Sequence, residues 1–309
     1  MNNDIFSRKS LILTRVDFDK SKRPRLKFAD QITGEIMDFT PVYGNDITFT
    51  INTTKRYCIG WHDLKTGEDF ACPEKAEIDP KYEQCPRCQK RTGFNPAFYN
   101  AADGDISQQQ QIRNAQPHFV YLAYFAPNTI KVGISFVGRD ITRLLEQGAR
   151  SALILGEFSS ANIARDYEAK ISAMPGICEN VKSNLKLKLL EQNYDSKIAE
   201  RELLKTRSKI EQVLNITFDD YNVQSLDGFY SDQAIPSGNF ISISDQFASS
   251  EEIIFSGKLI AQVGYVLIVS QQNESLTLPI KKYTGRKISL SPTLTDIELP
   301  ERQASLFDF

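Results

Sequence analysis

Apolar and polar positions alternate along two early stretches, Ser10 to Val16 and Asp46 to Asn52, both rich in β-branched residues. That period predicts half-buried strands, so the chain up to about residue 56 reads as a β region. Two further strands are predicted at His118 to Phe125 and Thr129 to Ser135, with Pro127-Asn128 marking the turn between them. The period then becomes helical, over Arg139 to Leu155, Ser160 to Ala173 and Tyr194 to Leu214. In the last of these, Leu203, Ile210 and Leu214 fall on one face and charges on the other. From Phe218 the strand pattern returns, in Phe240 to Ser244, Glu252 to Gly257, Tyr265 to Ser270 and Ser275 to Pro279. Short strands separated by turn residues predict a small antiparallel sheet or barrel. Residues 101–116, with their run of glutamines, read as an exposed linker.

Composition changes this picture little. Apolar and charged fractions of 41% and 25% are those of an ordinary globular chain, and 309 residues suggest two or three domains. No apolar run is long enough for a membrane span, and no secretory signal precedes the first strand, so a cytoplasmic protein with reduced thiols is expected. The net charge of −2 gives no reason in itself to expect nucleic acid. Basic residues do cluster locally, at Lys20 to Lys27 and from Lys182 to Glu211; these are solvated faces or a local surface for a polyanion.

The chemistry begins with the cysteines. Four of the five have the spacing Cys58-x13-Cys72-x12-Cys85-x2-Cys88. A CxxC turn can aim two thiolates at one tetrahedral ion, and two more thiolates close the shell. Four soft sulfurs suit zinc and leave no open coordination position, so a structural zinc on Cys58, Cys72, Cys85 and Cys88 is expected. His62 could replace one of them. A redox CxxC is the other use of this motif; it would follow a strand and open a helix, whereas these flanks are polar and carry prolines.

Residues 118–148 combine a tyrosine on one strand, a glycine on the next and an arginine on a helix. Phe119-Val120-Tyr121, Lys131-Val132-Gly133 and Arg143, with Glu168 on the following helix, resemble the pattern of the GIY-YIG nucleases. The resemblance implies magnesium- or manganese-dependent phosphodiester cleavage, with Tyr121 assisting water, Arg143 steadying the phosphate and Glu168 holding the metal. Lys131 stands where that family has its second tyrosine; it can bind phosphate but cannot act as a phenol. Arg139, Arg143 and Arg150 would form a phosphate-binding stripe if their helix runs unbroken through Gly148.

The order of Cys58-Ile59-Gly60-Trp61, Cys72-Pro73, the CxxC, Val120 to Ala123, Lys131 to Ile134, Arg143 and Gln147-Gly148-Ala149 resembles the family called domain of unknown function 2797, from about residue 50 to 290. Near the end, Gln303, Ser305, Leu306 and Phe307, around Ala304, resemble the bacterial sliding-clamp-binding pentapeptide. An apolar pair on a polar tail suits insertion into a partner's pocket.

The expectation is therefore an α+β protein. Residues 1–100 form a β region with the zinc site, 115–217 a central GIY-YIG-like α/β module, 218–296 a small antiparallel β module, and 297–309 a mobile clamp-binding tail. The expected function is DNA-associated, in replication or repair: a nuclease recruited by the clamp, or a non-catalytic nucleic-acid-binding adaptor.

Overall fold

The computed structural model of the chain describes residues 2–94, 106–219 and 221–299. Four strands come first: β1 (Leu11–Phe18), β2 (Pro24–Asp30), β3 (Ile36–Phe39) and β4 (Asp46–Asn52). The cysteine segment holds the short pair β5 (Trp61–His62) and β6 (Asp69–Phe70), then helix α1 (Pro86–Thr92). Helix α2 (Gln108–Asn114) forms from the glutamine run read as a linker; Ser107 caps it by accepting from the Gln110 N–H. The middle of the chain runs β7 (His118–Ala126), β8 (Thr129–Phe136), α3 (Thr142–Gln147), β9 (Ser151–Phe158), α4 (Ala161–Ser172), β10 (Ile177–Cys178), α5 (Ser183–Leu190), α6 (Ser196–Leu214) and β11 (Gln224–Ser225). Last come β12 (Ile241–Ser242), α7 (Ile243–Gln246), β13 (Glu252–Val263), β14 (Val266–Gln271), β15 (Glu274–Pro279) and β16 (Lys287–Ser291).

These strands build two main sheets. The larger has nine strands in the order β12-β15-β14-β13-β4-β16-β1-β2-β3. Strands from both ends of the chain interleave in it, so the N- and C-terminal β regions share one sheet. Its core gathers Leu13, Phe28, Phe49, Phe255, Leu267 and Ile288, all essentially solvent-free. Ile297, which the sequence assigned to the tail, is buried in this same core. The smaller sheet has the order β10-β8-β7-β9-β11, with β7 antiparallel to both of its neighbours, β8 and β9.

A bulge lets β13 serve two cores. Pairing with β14 steps from Leu259↔Val269 to Ala261↔Ile268, leaving Ile260 as the extra residue. One inserted residue inverts the two-residue side-chain period. Ile253, Phe255 and Leu259 therefore face the first core, while Ala261 and Val263 face a second one shared with Tyr121, Leu144 and Leu145 of the smaller sheet's layer.

Three expectations are corrected here. The helix expected over Arg139 to Leu155 is α3 followed by strand β9. Gly148 ends α3 in the left-handed region (φ 75°), and β9 is buried on both faces, with Ala152 in one core and Leu153 and Leu155 in another. A strand covered on both sides is a continuous apolar run, which period alone cannot tell from a helix. The strand expected over Phe240 to Ser244 is only Ile241–Ser242, followed by α7. The CxxC, expected not to open a helix, does open one: Cys85 is the N-cap of α1 and Pro86 its first residue.

Candidate functional site

Two side-chain clusters carry chemistry. The first is the four cysteines, each buried and free, with ligand atoms all within 4.8 Å of one another. A tetrahedron of zinc–sulfur bonds of about 2.3 Å places its sulfurs roughly 3.8 Å apart. The Cys72 and Cys85 sulfurs are separated by 4.0 Å, so the donor set has the spacing of a structural zinc site. Local backbone builds it. The Cys58 sulfur accepts the Cys85 N–H at 3.2 Å and an N–H from Gly60. Gly60 is left-handed (φ 83°), and any Cβ there would fall on the Phe70 carbonyl oxygen, at 1.8 Å. Only glycine closes this turn.

Burial pushes the Cys58 thiol up to about 11, and burial with the neighbouring thiols raises Cys88 as well. Burial opposes ionisation of Cys85 too, but N–H and thiol hydrogen bonds outweigh it and hold Cys85 below the usual thiol value. Such a set ionises together only when a cation compensates the charge. His62 lies outside this cluster of ligand atoms, and its Nδ1 pairs with Asp69 at 2.9 Å. Asp69 also meets Arg15 (2.8 Å) and Lys27 (2.7 Å), which fastens the β5–β6 hairpin to the large sheet.

The second cluster lies on the smaller sheet. Tyr121 on β7 stands opposite Gly133 on β8, and Lys131 lies two residues before that glycine. A Cβ on Gly133 would meet the Tyr121 hydroxyl at 2.4 Å and the Lys131 Nζ at 3.0 Å. Tyr121 is 1% exposed, and its hydroxyl accepts a hydrogen bond from Gln147 Nε2 at the end of α3. Lys131 Nζ lies 5.8 Å from the Tyr121 ring centre and donates to the Val132 carbonyl at 2.9 Å. Burial, then Glu168 and Arg143 with opposite signs, set the Lys131 ammonium below its ordinary pKa.

Glu168 lies on the buried face of α4 and is ion-paired with Arg165, which also meets Glu179 at 2.6 Å. Burial keeps Glu168 above the usual carboxylate range despite Arg165. Arg143 is the open member of the group, its side chain 45% exposed and 3.8 Å from Glu146. Arg139 contacts the same Glu146.

Tyr121, Lys131, Arg143 and Glu168 are thus brought together, and Arg150 is not. Arg150 is buried, holds Asp227 through two bonds of 2.6 Å, and stacks over Tyr194. The three-arginine stripe is therefore corrected: Gly148 ends the helix, and Arg150 is a structural ion pair. Gln303, Ser305, Leu306 and Phe307 lie outside the described residues.

Sequence reasoning missed Lys186, on α5. Its Nζ donates to the Gln147 carbonyl at 2.7 Å and lies between the rings of Phe125 (4.9 Å) and Tyr265 (5.3 Å). Burial, together with Lys131, Arg143 and Lys281, lowers its pKa to about 7. Nothing in the pattern of α5 marks Lys186; only the packing of α5 on β7 does. Gln147 stood inside a quoted motif, but its bond to Tyr121 could not be read from it.

The fold and the cysteine cluster define a mixed α+β protein compatible with a structural metal. Residues 44–288 match the family described as "Protein of unknown function (DUF2797)", and the chain belongs to that family. No curated protein matches the chain, and no solved structure does. Among the described residues, no helix is long and apolar enough to cross a membrane.

Proposed function

We propose that this is a zinc-braced, DNA-associated protein of replication or repair whose central unit grips a nucleic-acid backbone without cutting it. The observation that carries this reading is the gathering of Lys131, Arg143 and Lys186 around Tyr121, where Glu168 is already engaged by Arg165. Clustered cations in a partly dehydrated setting attract phosphodiesters strongly, even with Arg143 3.8 Å from Glu146. Cleavage would need a carboxylate free for a divalent ion and a phenol free to assist water. Here the carboxylate is paired, the phenol is buried and bonded by Gln147, and Lys131 replaces the second tyrosine.

The occurrence of Tyr121 on β7, Gly133 on β8, Arg143 on α3 and Glu168 on α4 supports the resemblance to the GIY-YIG nucleases. It also favours the second reading, a magnesium- or manganese-dependent endonuclease in which Glu168 leaves Arg165 to take the metal. Incubation with supercoiled, branched and single-stranded DNA plus either ion, beside Glu168→Ala, separates the two. Binding without cleavage, kept by Glu168→Ala and weakened by Lys131→Ala with Lys186→Ala, supports the adaptor. Cleavage that Glu168→Ala abolishes establishes the nuclease.

Recruitment by a bacterial sliding clamp is part of the proposal and rests on Gln303, Ser305, Leu306 and Phe307 alone. A peptide of residues 299–309 should bind such a clamp. No binding at tens of micromolar, roughly −6 kcal/mol, would remove that partner.

A further inference from the structure

Lys186 has no counter-charge. Its side chain is half-buried, with the Phe125 and Tyr265 ring centres 4.9 and 5.3 Å from Nζ. The Tyr265 ring is fixed through its hydroxyl, which shares a hydrogen bond with Ser183 Oγ at 3.0 Å, and Lys281 Nζ lies 5.8 Å from the same ring. Lys186 Nζ donates to the Gln147 carbonyl at 2.7 Å, a neutral acceptor. Among the described residues, no carboxylate lies within ion-pair distance of it, and the charged groups that act on it, Lys131, Arg143 and Lys281, are all cations. An ammonium held against apolar walls and crowded by like charge gives up its proton readily, which is how lysines become nucleophiles.

Lys131 differs in this respect, because Glu168 favours its ammonium. With a pKa of about 7, Lys186 is a free amine in a large share of molecules at neutral pH. An ordinary lysine is so in on the order of one molecule in a thousand. The neutral amine can keep its N–H bond to Gln147 and still offer its lone pair. The groove beside it, lined by Gln147, Gly148, Leu190, Val263, Tyr265 and Val266, has a volume of about 10 Å³. That is room for one water-sized group. A carbonyl fits there only at the free end of a chain whose remainder lies outside.

From this setting we infer that Lys186 forms an imine with the ring-opened sugar aldehyde of an abasic site in DNA. This substrate class rests on the nucleic-acid reading above and narrows it. An abasic sugar presents a free aldehyde on a short stem between two phosphates, which suits a narrow groove close to the cations Lys131 and Arg143. The amine lone pair attacks the carbonyl carbon and gives a carbinolamine. The carbonyl oxygen then leaves as water with both amine hydrogens, and a C=N bond remains. Nothing is oxidised or reduced, and no phosphodiester breaks.

The test incubates the full chain with an oligonucleotide carrying one abasic site, or its intact counterpart, and then adds borohydride, which reduces an imine to a stable amine. The abasic strand alone should become covalently attached, and peptide mass mapping of the unaltered chain should place the adduct on Lys186. Attachment should climb between about pH 6 and 8 as this amine loses its proton. Lys186→Arg, compared at protein concentrations that saturate the oligonucleotide, should lower the yield by about tenfold or more, since a guanidinium keeps the charge but forms no imine. Binding of intact and abasic DNA without attachment overturns this inference and leaves the nucleic-acid reading standing; absence of any DNA binding overturns both. Adducts spread over other lysines, or attachment of a small aldehyde such as glycolaldehyde phosphate but not of the abasic strand, also overturn it.

Discussion

At the scale of single residues, Gly133 is a tight constraint in the smaller sheet. A methyl group there would drive into the Tyr121 hydroxyl and the Lys131 ammonium, and the tyrosine is enclosed by core. Gly133→Ala should destabilise by about 1–3 kcal/mol, the usual range for overpacking, measured by urea unfolding. Lys186 gives a pH signature. Its pKa is about 7 in the folded chain and near the free-lysine value of about 10.4 when unfolded. Between those values the unfolded state holds the extra proton, so this group makes stability rise with pH across that window. Below about 7 it is charged in both states and its unfavourable contribution is complete. Lys186→Met should flatten that slope in chemical denaturation from pH 7 to 10. The spacing of Tyr121, Gly133, Arg143 and Glu168 drew attention to them in advance; Lys186 and Gln147 are placed by contacts that spacing does not encode.

At the scale of elements, the segment from Tyr57 to Gly93 has almost no apolar core. Among the described residues, the apolar side chains packed around the cysteines are Trp61, Ala76 and Ile78, with Trp61 stacked on Phe70 at 4.1 Å. A bound ion would then supply most of its order. Chelation, or Cys88→Ser, should abolish hydrogen-exchange protection across residues 57–93 and leave the β4–β13 pairing protected. One zinc per chain by metal analysis is the companion expectation. The four cysteines were the most legible feature of the sequence, since metal spacing is local. Strand β9 was the least legible, because burial on both faces erased the alternation that marks β1 and β4. The bulge at Ile260 was also invisible, since it falls beyond the strand predicted over Glu252 to Gly257 and no local residue type marks it.

At the scale of the whole molecule, Arg150 ties β9 to the segment that leads back to the large sheet. Asp227→Ala would leave a buried guanidinium unpaired, at a cost of about 3 kcal/mol by denaturant titration, the low end because Asp227 keeps some water. Net charge shapes the proposed DNA contact in the same way. With an overall charge of −2, affinity must come from the local patch of Lys131, Arg143 and Lys186. Three phosphate contacts predict a slope of log affinity against log salt of about −3, and a much steeper slope would require a larger surface.

The interleaved sheet has a consequence for how the chain is made. Strand β4 lies between β13 and β16, and the Thr48 hydroxyl bonds Ser256 across 208 positions of sequence. At ribosomal speeds of roughly 5–20 residues per second, β4 leaves the ribosome on the order of ten to forty seconds before its partners exist. During that interval the nascent chain presents Phe49 and Ile51 on an unclosed strand edge, which makes early β1–β4 a natural client for holding chaperones. Ribosome-stalled chains ending before Glu252 should be cut readily by protease within β1 to β4, and chains extended beyond Ser291 should resist.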